Sequence, residues 1–303
     1  MANSIRAFGT RRATLAGFLL VLLFSLAACS SQSRGGAYHF QWDITFTSIF
    51  QPNGSIINGL WLTIGISIVA QLLGVGLGII AALGRMSRVW PFRIVANFYI
   101  WFFRGTPLIV QLTFLFYGLL ISKVLVWPSI EIGPFVIAAE VFAGTLILGI
   151  NEGAYMAEIV RAGILAVDPG QTEAAKSLGM NYRQTMTRIV LPQAARVIIP
   201  PLGNEFNNMI KNTSLLYVLA VFELYTTFES YSTTSFHYFE YFVACCFWYL
   251  LLTTLWAFVQ GWLERRFARG TLPTPDAGGP NLRERLLGQR GPGAGGADAI
   301  GGH

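Results

Sequence analysis

Apolar runs of about the length that crosses a bilayer alternate along this chain with short stretches rich in arginine. The runs cover residues 57–83, 94–121, 135–159 and 241–263. A fifth candidate, residues 192–222, scores poorly on hydropathy because it contains Pro200, Pro201, Asn204, Glu205, Asn207, Asn208, Lys211 and Asn212. Charge placement restores it. The clusters Arg85/Arg88/Arg93, Arg161/Lys176/Arg183/Arg188/Arg196 and Arg265/Arg266/Arg269 all fall on the cytoplasmic side if residues 192–222 cross the membrane. Five core spans, entering from outside and ending inside, follow from that placement. The resulting external loops hold little positive charge: Lys123 lies in one, and Glu223, Glu229 and Glu240 border the other.

The two ends read differently. Arg6, Arg11 and Arg12 precede an apolar run from Ala13 to Ala28, which has the length of a signal segment. Leu26-Ala27-Ala28-Cys29 resembles a bacterial lipobox, after which Cys29 would carry lipid; an uncleaved signal anchor is the other reading. Residues 1–29 are therefore a signal-like segment and 30–56 an external segment, too short for a solute-binding domain. The transmembrane core is 57–266, and 267–303 is a cytoplasmic tail whose glycine, proline and charge predict disorder.

Composition narrows the class. With 53% apolar and 12% charged residues, the chain belongs in a membrane. Its net charge of +6 sits at the ends of apolar runs, where orientation explains it without nucleic acid. Cys29, Cys245 and Cys246 have no metal-ligand spacing, and His39, His237 and His303 read as surface residues. No metal site is expected. No G-x-x-x-x-G-K-[ST] loop is present and no nucleophile stands beside a base, so energy must come from a partner or an ion gradient.

Four polar segments carry the candidate chemistry. Residues 160–191 form a polar loop in which Asp168-Pro169-Gly170 supplies a turn and Thr172 an N-cap, with Glu173 in the first helical turn. Ala174 and Ala175 follow, and Gly179 is expected to break the helix. In the second span, Arg104 precedes a Gly105-Thr106-Pro107 break near Gln111; such a break needs protein or a water-filled cavity around it. Arg104 is either in a pathway or a structural anchor. In the third span, at about 100° per residue, Glu140, Gly144, Asn151, Tyr155 and Glu158 share one face, while Glu152 lies about 120° away. Carboxylates there are unlikely neighbours for lipid, and Glu158 with Arg161, one turn on, would brace the start of the polar loop. In the fourth, Asn204, Asn208, Lys211 and Asn212 share a face beside Glu205, either lining a pathway or packing against a partner subunit.

These segments resemble a known family. The spacing E-A-A, three residues, G, nine residues, I-x-L-P, running from Glu173 to Pro192, is similar to the signature of ATP-binding-cassette importer permeases. There the segment is the coupling helix, which docks on a cytoplasmic ATPase. The run Phe103 to Leu112, the run Gly153 to Arg161, Asn204-Glu205-Phe206 and the run Ile210 to Leu215 resemble the polar amino acid subfamily. Ala162-Gly163 stands where many members have two glycines.

The resemblance implies an all-α integral membrane protein, a type I importer permease with five core helices plus the N-terminal segment. It also implies a second permease subunit, identical or homologous, cytoplasmic ATPase subunits that bind ATP and magnesium, and an extracytoplasmic solute-binding protein. The chain itself would bind no cofactor and catalyse no covalent step. Glutamate or glutamine is the expected substrate, with arginine, histidine and lysine as alternatives. Two other classes remain at this point: an ion-coupled secondary transporter using Glu140, Glu152, Glu205 and Lys211, and a membrane enzyme, for which clustered catalytic groups are missing.

Overall fold

A computed structural model describes residues 38–267 apart from residue 134. The lipobox with Cys29, residues 30–37 of the external segment, and the tail from 268 onward lie outside the described residues. Helix α1 (Trp42–Phe50) precedes the long α2 (Gly54–Met86), which Asn53 caps by accepting the Ile56 amide at 3.0 Å. α3 (Trp90–Gly105) and α4 (Leu108–Ile121) form a pair bent by 108°. A two-stranded antiparallel hairpin, β1 (Ile130–Ile132) and β2 (Phe135–Ile137), leads into α5 (Ala139–Leu165). The polar loop carries α6 (Pro169–Ser177) and α7 (Tyr182–Thr185), and a π turn then feeds α8 (Leu191–Asn212). A 3-10 turn (Thr213–Leu219), helix α9 (Leu224–Ser235) and α10 (Tyr238–Phe267) complete the described chain.

Among the described residues, only α2 and α10 are long and apolar enough to span alone, and the bent α3–α4 pair passes the same test as a broken span or a re-entrant pair. α5 and α8 have the length, but their polar residues hold them below that hydropathy. Burial makes the difference intelligible. α5 lies inside the bundle, with Ala143, Ile147, Leu148, Ala154 and Met156 almost fully covered, so its polar side chains meet protein instead of lipid.

Close approach of α2 and α5 holds the centre. Apolar burial drives little helix association within hydrocarbon, so packing depends on backbones coming near one another. A Cβ added at Gly74 would lie 2.6 Å from Glu152 Cγ, and one at Gly153 would lie 2.8 Å from Leu77 Cβ. Gly76, on the other side of α2, has nothing within 4 Å of such an atom.

α1 is clamped to the start of α10. The Tyr38 hydroxyl donates to Glu240, the Gln41 amide donates to the same carboxylate at 2.9 Å, and the Trp248 indole donates to the Ser48 carbonyl at 3.1 Å. Nearby, the buried Glu223 caps α9, accepting from the Tyr225 and Thr226 amides at 3.0 and 2.8 Å and from Thr63 and Tyr249 of neighbouring helices.

Several boundaries differ from the sequence reading. The helix in the polar loop starts at Pro169 with Asp168 as its cap, accepting the Gly170 amide at 2.8 Å, so Thr172 sits inside the helix. Proline is favoured at the first helical position because its missing N–H has no helical partner there. α5 begins after the hairpin and not at Phe135, and it extends to Leu165, into the segment expected to be loop.

Candidate functional site

The break between α3 and α4 frees backbone carbonyls, and side chains take them up. Gln111 Nε2 donates to the Phe103 carbonyl at 2.9 Å, to the Thr106 carbonyl at 3.1 Å and to Thr106 Oγ1 at 2.7 Å. Asn151 Nδ2 donates to Gln111 Oε1 at 2.9 Å and to the Phe103 carbonyl at 3.2 Å. One glutamine and one asparagine thus pin the bend of α3–α4 to the middle of α5.

Beside this staple lies a cavity of about 350 Å³ lined by Leu108, Asn151, Glu152, Tyr155, Glu205, Asn208, Asn212 and Leu215. Its wall carries two carboxylates and no basic side chain. Glu152 is only 3% exposed, and its Oε1 has no hydrogen-bond partner. A buried, unpaired acidic oxygen is costly, and a cationic or N–H donor group would satisfy it.

Six residues further along α5, Glu158 has the opposite surroundings. One oxygen meets Arg85 and, at 3.2 Å, Arg104 Nη1; the other meets Arg161 Nε at 3.4 Å. The Arg104 guanidinium also stands 5.5 Å from the Tyr155 ring centre. Helix spacing shows the pairing with Arg161, whereas Arg85 and Arg104 reach Glu158 from other helices.

The other predicted residues are scattered. Glu140 sits in the first turn of α5, roughly 27 Å of helix from Glu158, and joins neither group. On α8, Glu205, Asn208 and Asn212 line the cavity, but exposed Asn204 accepts from Gln260 of α10 at 2.8 Å and Lys211 is exposed outside the cavity lining. The signal available for Glu152 was its burial cost in a span; the helical wheel, which set it apart from the polar face, pointed elsewhere.

In the polar loop, Ala175 is buried while Glu173 and Ala174 are exposed, and Gly179 follows with a left-handed φ of +77°. This left-handed residue ends the helix, with the Gly179 amide donating to the Lys176 carbonyl at 2.9 Å. The turn presents Leu178 and Tyr182, 82% and 74% exposed. Among the described residues, no group of three or more His, Cys, Asp or Glu side chains is placed to hold a metal ion.

A helical bundle with a broken span, a buried polar cavity and an exposed polar-loop helix defines a membrane transport subunit. The chain belongs to the family of binding-protein-dependent transport system inner membrane components, whose pattern matches residues 74–269. It is 38% identical over 262 residues to the arginine transport system permease protein ArgU of Corynebacterium glutamicum, covering 84% of this chain and 79% of that one. It is 37% identical over 231 residues to the L-cystine transport system permease protein TcyB of Bacillus subtilis, covering 75% and 92%. Among solved structures, an amino acid ABC transporter with histidines superposes with a TM-score of 0.64 at 36% identity, covering 73% of this chain and 98% of that one. A bacterial alginate ABC transporter, at 17% identity and a TM-score of 0.56, shares the fold. The chain is accordingly a multi-pass ABC permease subunit of the amino acid transport type, with a type I importer fold, and not an enzyme. In this family the ATPase is a separate subunit, which sets the secondary-transporter reading aside.

Proposed function

We propose that this permease passes polar amino acids with a basic side chain, and that the Glu152–Glu205 cavity receives them on the way to the cytoplasm. The observation that carries this reading is the unpaired Glu152 oxygen in a cavity whose only charged side chains are acidic. An arginine or lysine side chain would satisfy it, whereas glutamate, one of the two substrates expected from sequence, would bring a third carboxylate into the same space. Glutamine is the second reading, since its amide can donate to Glu152. The arginine permease among the similar proteins supports the first.

Energy for import comes, in this reading, from ATP and magnesium bound by a partner ATPase that docks on α6. Support comes from the exposed Leu178 and Tyr182, which stand beside the helix uncovered by the described residues. A solute-binding protein would deliver substrate to the external face bearing α1 and α9, and a second permease subunit would complete the pathway. The arginine-rich loop ends support a cytoplasmic C-terminus.

The test is uptake by the reconstituted complex supplied with arginine, lysine, histidine, glutamine and glutamate, together with ATPase stimulation. Uptake of a basic amino acid above all others is expected, and Glu152→Gln should lower it about ten- to hundredfold, the range for losing a hydrogen bond to a charged group. Preferential glutamate uptake that Glu152→Gln leaves unchanged would refute the assignment.

A further inference from the structure

One spanning helix is left largely bare by the described residues. In α10 only 11% of the most apolar stretch is buried, against 44% in α2. Its bare side is not smooth. Phe239, Val243, Cys246 and Leu250 recur at intervals of three and four along it, which puts them on one face over three turns. Phe242 and Phe247 fall on opposite sides of that stripe at about 100° per residue, and with Tyr38 they help enclose a groove of about 770 Å³ whose lining carries no charged side chain. Smaller side chains between large ones leave a hole in which another helix can pack closely within hydrocarbon.

The mouth of the groove lies where the described chain begins. Tyr38 lines it and donates to Glu240, in the first turn of α10, so the chain before residue 38 departs from the groove's end. Charge placement assigns that end to the outside and Arg265/Arg266 to the cytoplasm. The apolar run from Ala13 to Ala28 lies just upstream. It follows Arg6, Arg11 and Arg12, and residues 13–33 hold no charge, about the 20 positions that cross a bilayer. With those arginines inside, the run rises toward the outer surface, antiparallel to α10. Residues 29–37 join it to Tyr38 and reach at most about 30 Å when extended. A tether this short holds the run beside the groove at an effective concentration on the order of millimolar.

We propose that the run from Ala13 to Ala28 stays on the protein as a further membrane helix and docks in the α10 groove, antiparallel to α10. The groove then receives a segment of its own chain, and Leu26-Ala27-Ala28-Cys29 is the outer end of that helix and not a cleavage site. A lipidated chain starting at Cys29 has no such segment. A lipid acyl chain or a second copy of the chain could meet the same apolar walls, but neither is brought to the mouth of the groove by a covalent link at Tyr38.

Cys246, exposed in the groove, serves as the reporter. It stands eight residues into α10 from Tyr238, so an antiparallel helix whose outer end is Ala28 brings Leu20, eight residues back, to the same depth. The test introduces cysteines one at a time at positions 17 to 24 of the full chain, in membranes with its ATPase, oxidises them and maps the disulfide partners by mass spectrometry. Links to Cys246 should come from positions near 20 that lie three or four residues apart, with none from the opposite face, and Cys246→Ser should abolish them. The intact mass should include residues 1–28. Val243→Trp, which fills the floor of the groove, should lower the yield of links about fivefold. A mature chain beginning at Cys29 overturns the proposal, as does a full-length chain in which no position links to Cys246 or one in which Val243→Trp leaves the yield unchanged. Links between the Cys246 residues of two chains also overturn it and assign the groove to a second copy. None of these readouts depends on which amino acid is carried.

Discussion

Glu152 and Glu158 are the same residue type six positions apart on one helix, yet the protein treats them in opposite ways. Glu152 is almost fully buried against α2, has a free oxygen and faces a cavity without a cation. Glu158 is partly open and is held by arginines from α2, α3 and its own helix. A carboxylate that is paired on every side stabilises the fold, whereas one that is buried and unpaired costs stability and is retained for what it binds. The contrast separates the anchor of the bundle from its candidate substrate contact.

Interference with the close helix contact beside Glu152 should have the largest effect. Gly74→Val places atoms where Glu152 Cβ and Cγ already lie, at 2.8 and 2.6 Å from the first added carbon. It should cost about 3 kcal/mol or prevent assembly, read as loss of monodisperse protein on size exclusion, while Gly76→Ala on the open side should be neutral. Normal recovery and stability of Gly74→Val would remove the packing that distinguishes the Glu152 site.

Next comes the anchor. Glu158→Gln leaves three guanidiniums without their shared carboxylate, and because the cluster is partly solvated the loss should be about 2 kcal/mol, below the range for a fully buried pair. Thermal unfolding in detergent should show the midpoint falling by several degrees. An unchanged midpoint would mean that the arginines are held by something other than Glu158.

The Gly179 turn should respond more mildly, and in function more than in stability. Gly179→Asp must adopt a φ of +77°, where a side chain costs about 1 kcal/mol, although its first carbon meets nothing within 4 Å. The protein should insert and bind substrate, but ATPase association should weaken. Gly179→Asn, which tolerates this conformation better, should retain more of it. Transport and ATPase recovery at wild-type levels in Gly179→Asp would show that this turn is not where the two subunits meet. The smallest effect is expected at the staple: Gln111→Leu removes the acceptor for Asn151 and the donor to three groups at the bend, about 1 kcal/mol of net hydrogen bonding that the unfolding midpoint should register.

What could be read from sequence was what local spacing encodes. The Glu173-to-Pro192 spacing located the polar-loop helix and its glycine stop, because a left-handed turn leaves a glycine behind. The Gly-Thr-Pro break was equally legible, since proline and glycine act on their own neighbours. Long-range pairing was not. Nothing near Glu158 in sequence points to Arg85, 73 residues earlier, and nothing near Gln111 points to Asn151. α1 lies in a stretch that the sequence marks only as external, and the second hairpin strand falls where the sequence predicts the start of a span. The helical wheel failed at Glu152 for a related reason: α5 is surrounded by protein, so more than one of its faces accepts polar groups. Periodicity reports a single wet side only when the opposite side meets lipid.

The account turns on Glu152, and one variant measured in two ways tests it most directly. Glu152→Gln keeps the shape and removes the buried acidic group, so the thermal unfolding midpoint of the purified protein should stay level or rise while uptake of arginine and lysine by the reconstituted complex falls about ten- to hundredfold. A lowered midpoint with uptake of basic amino acids intact would contradict it, making Glu152 a part of the scaffold and returning the substrate contact to another part of the chain.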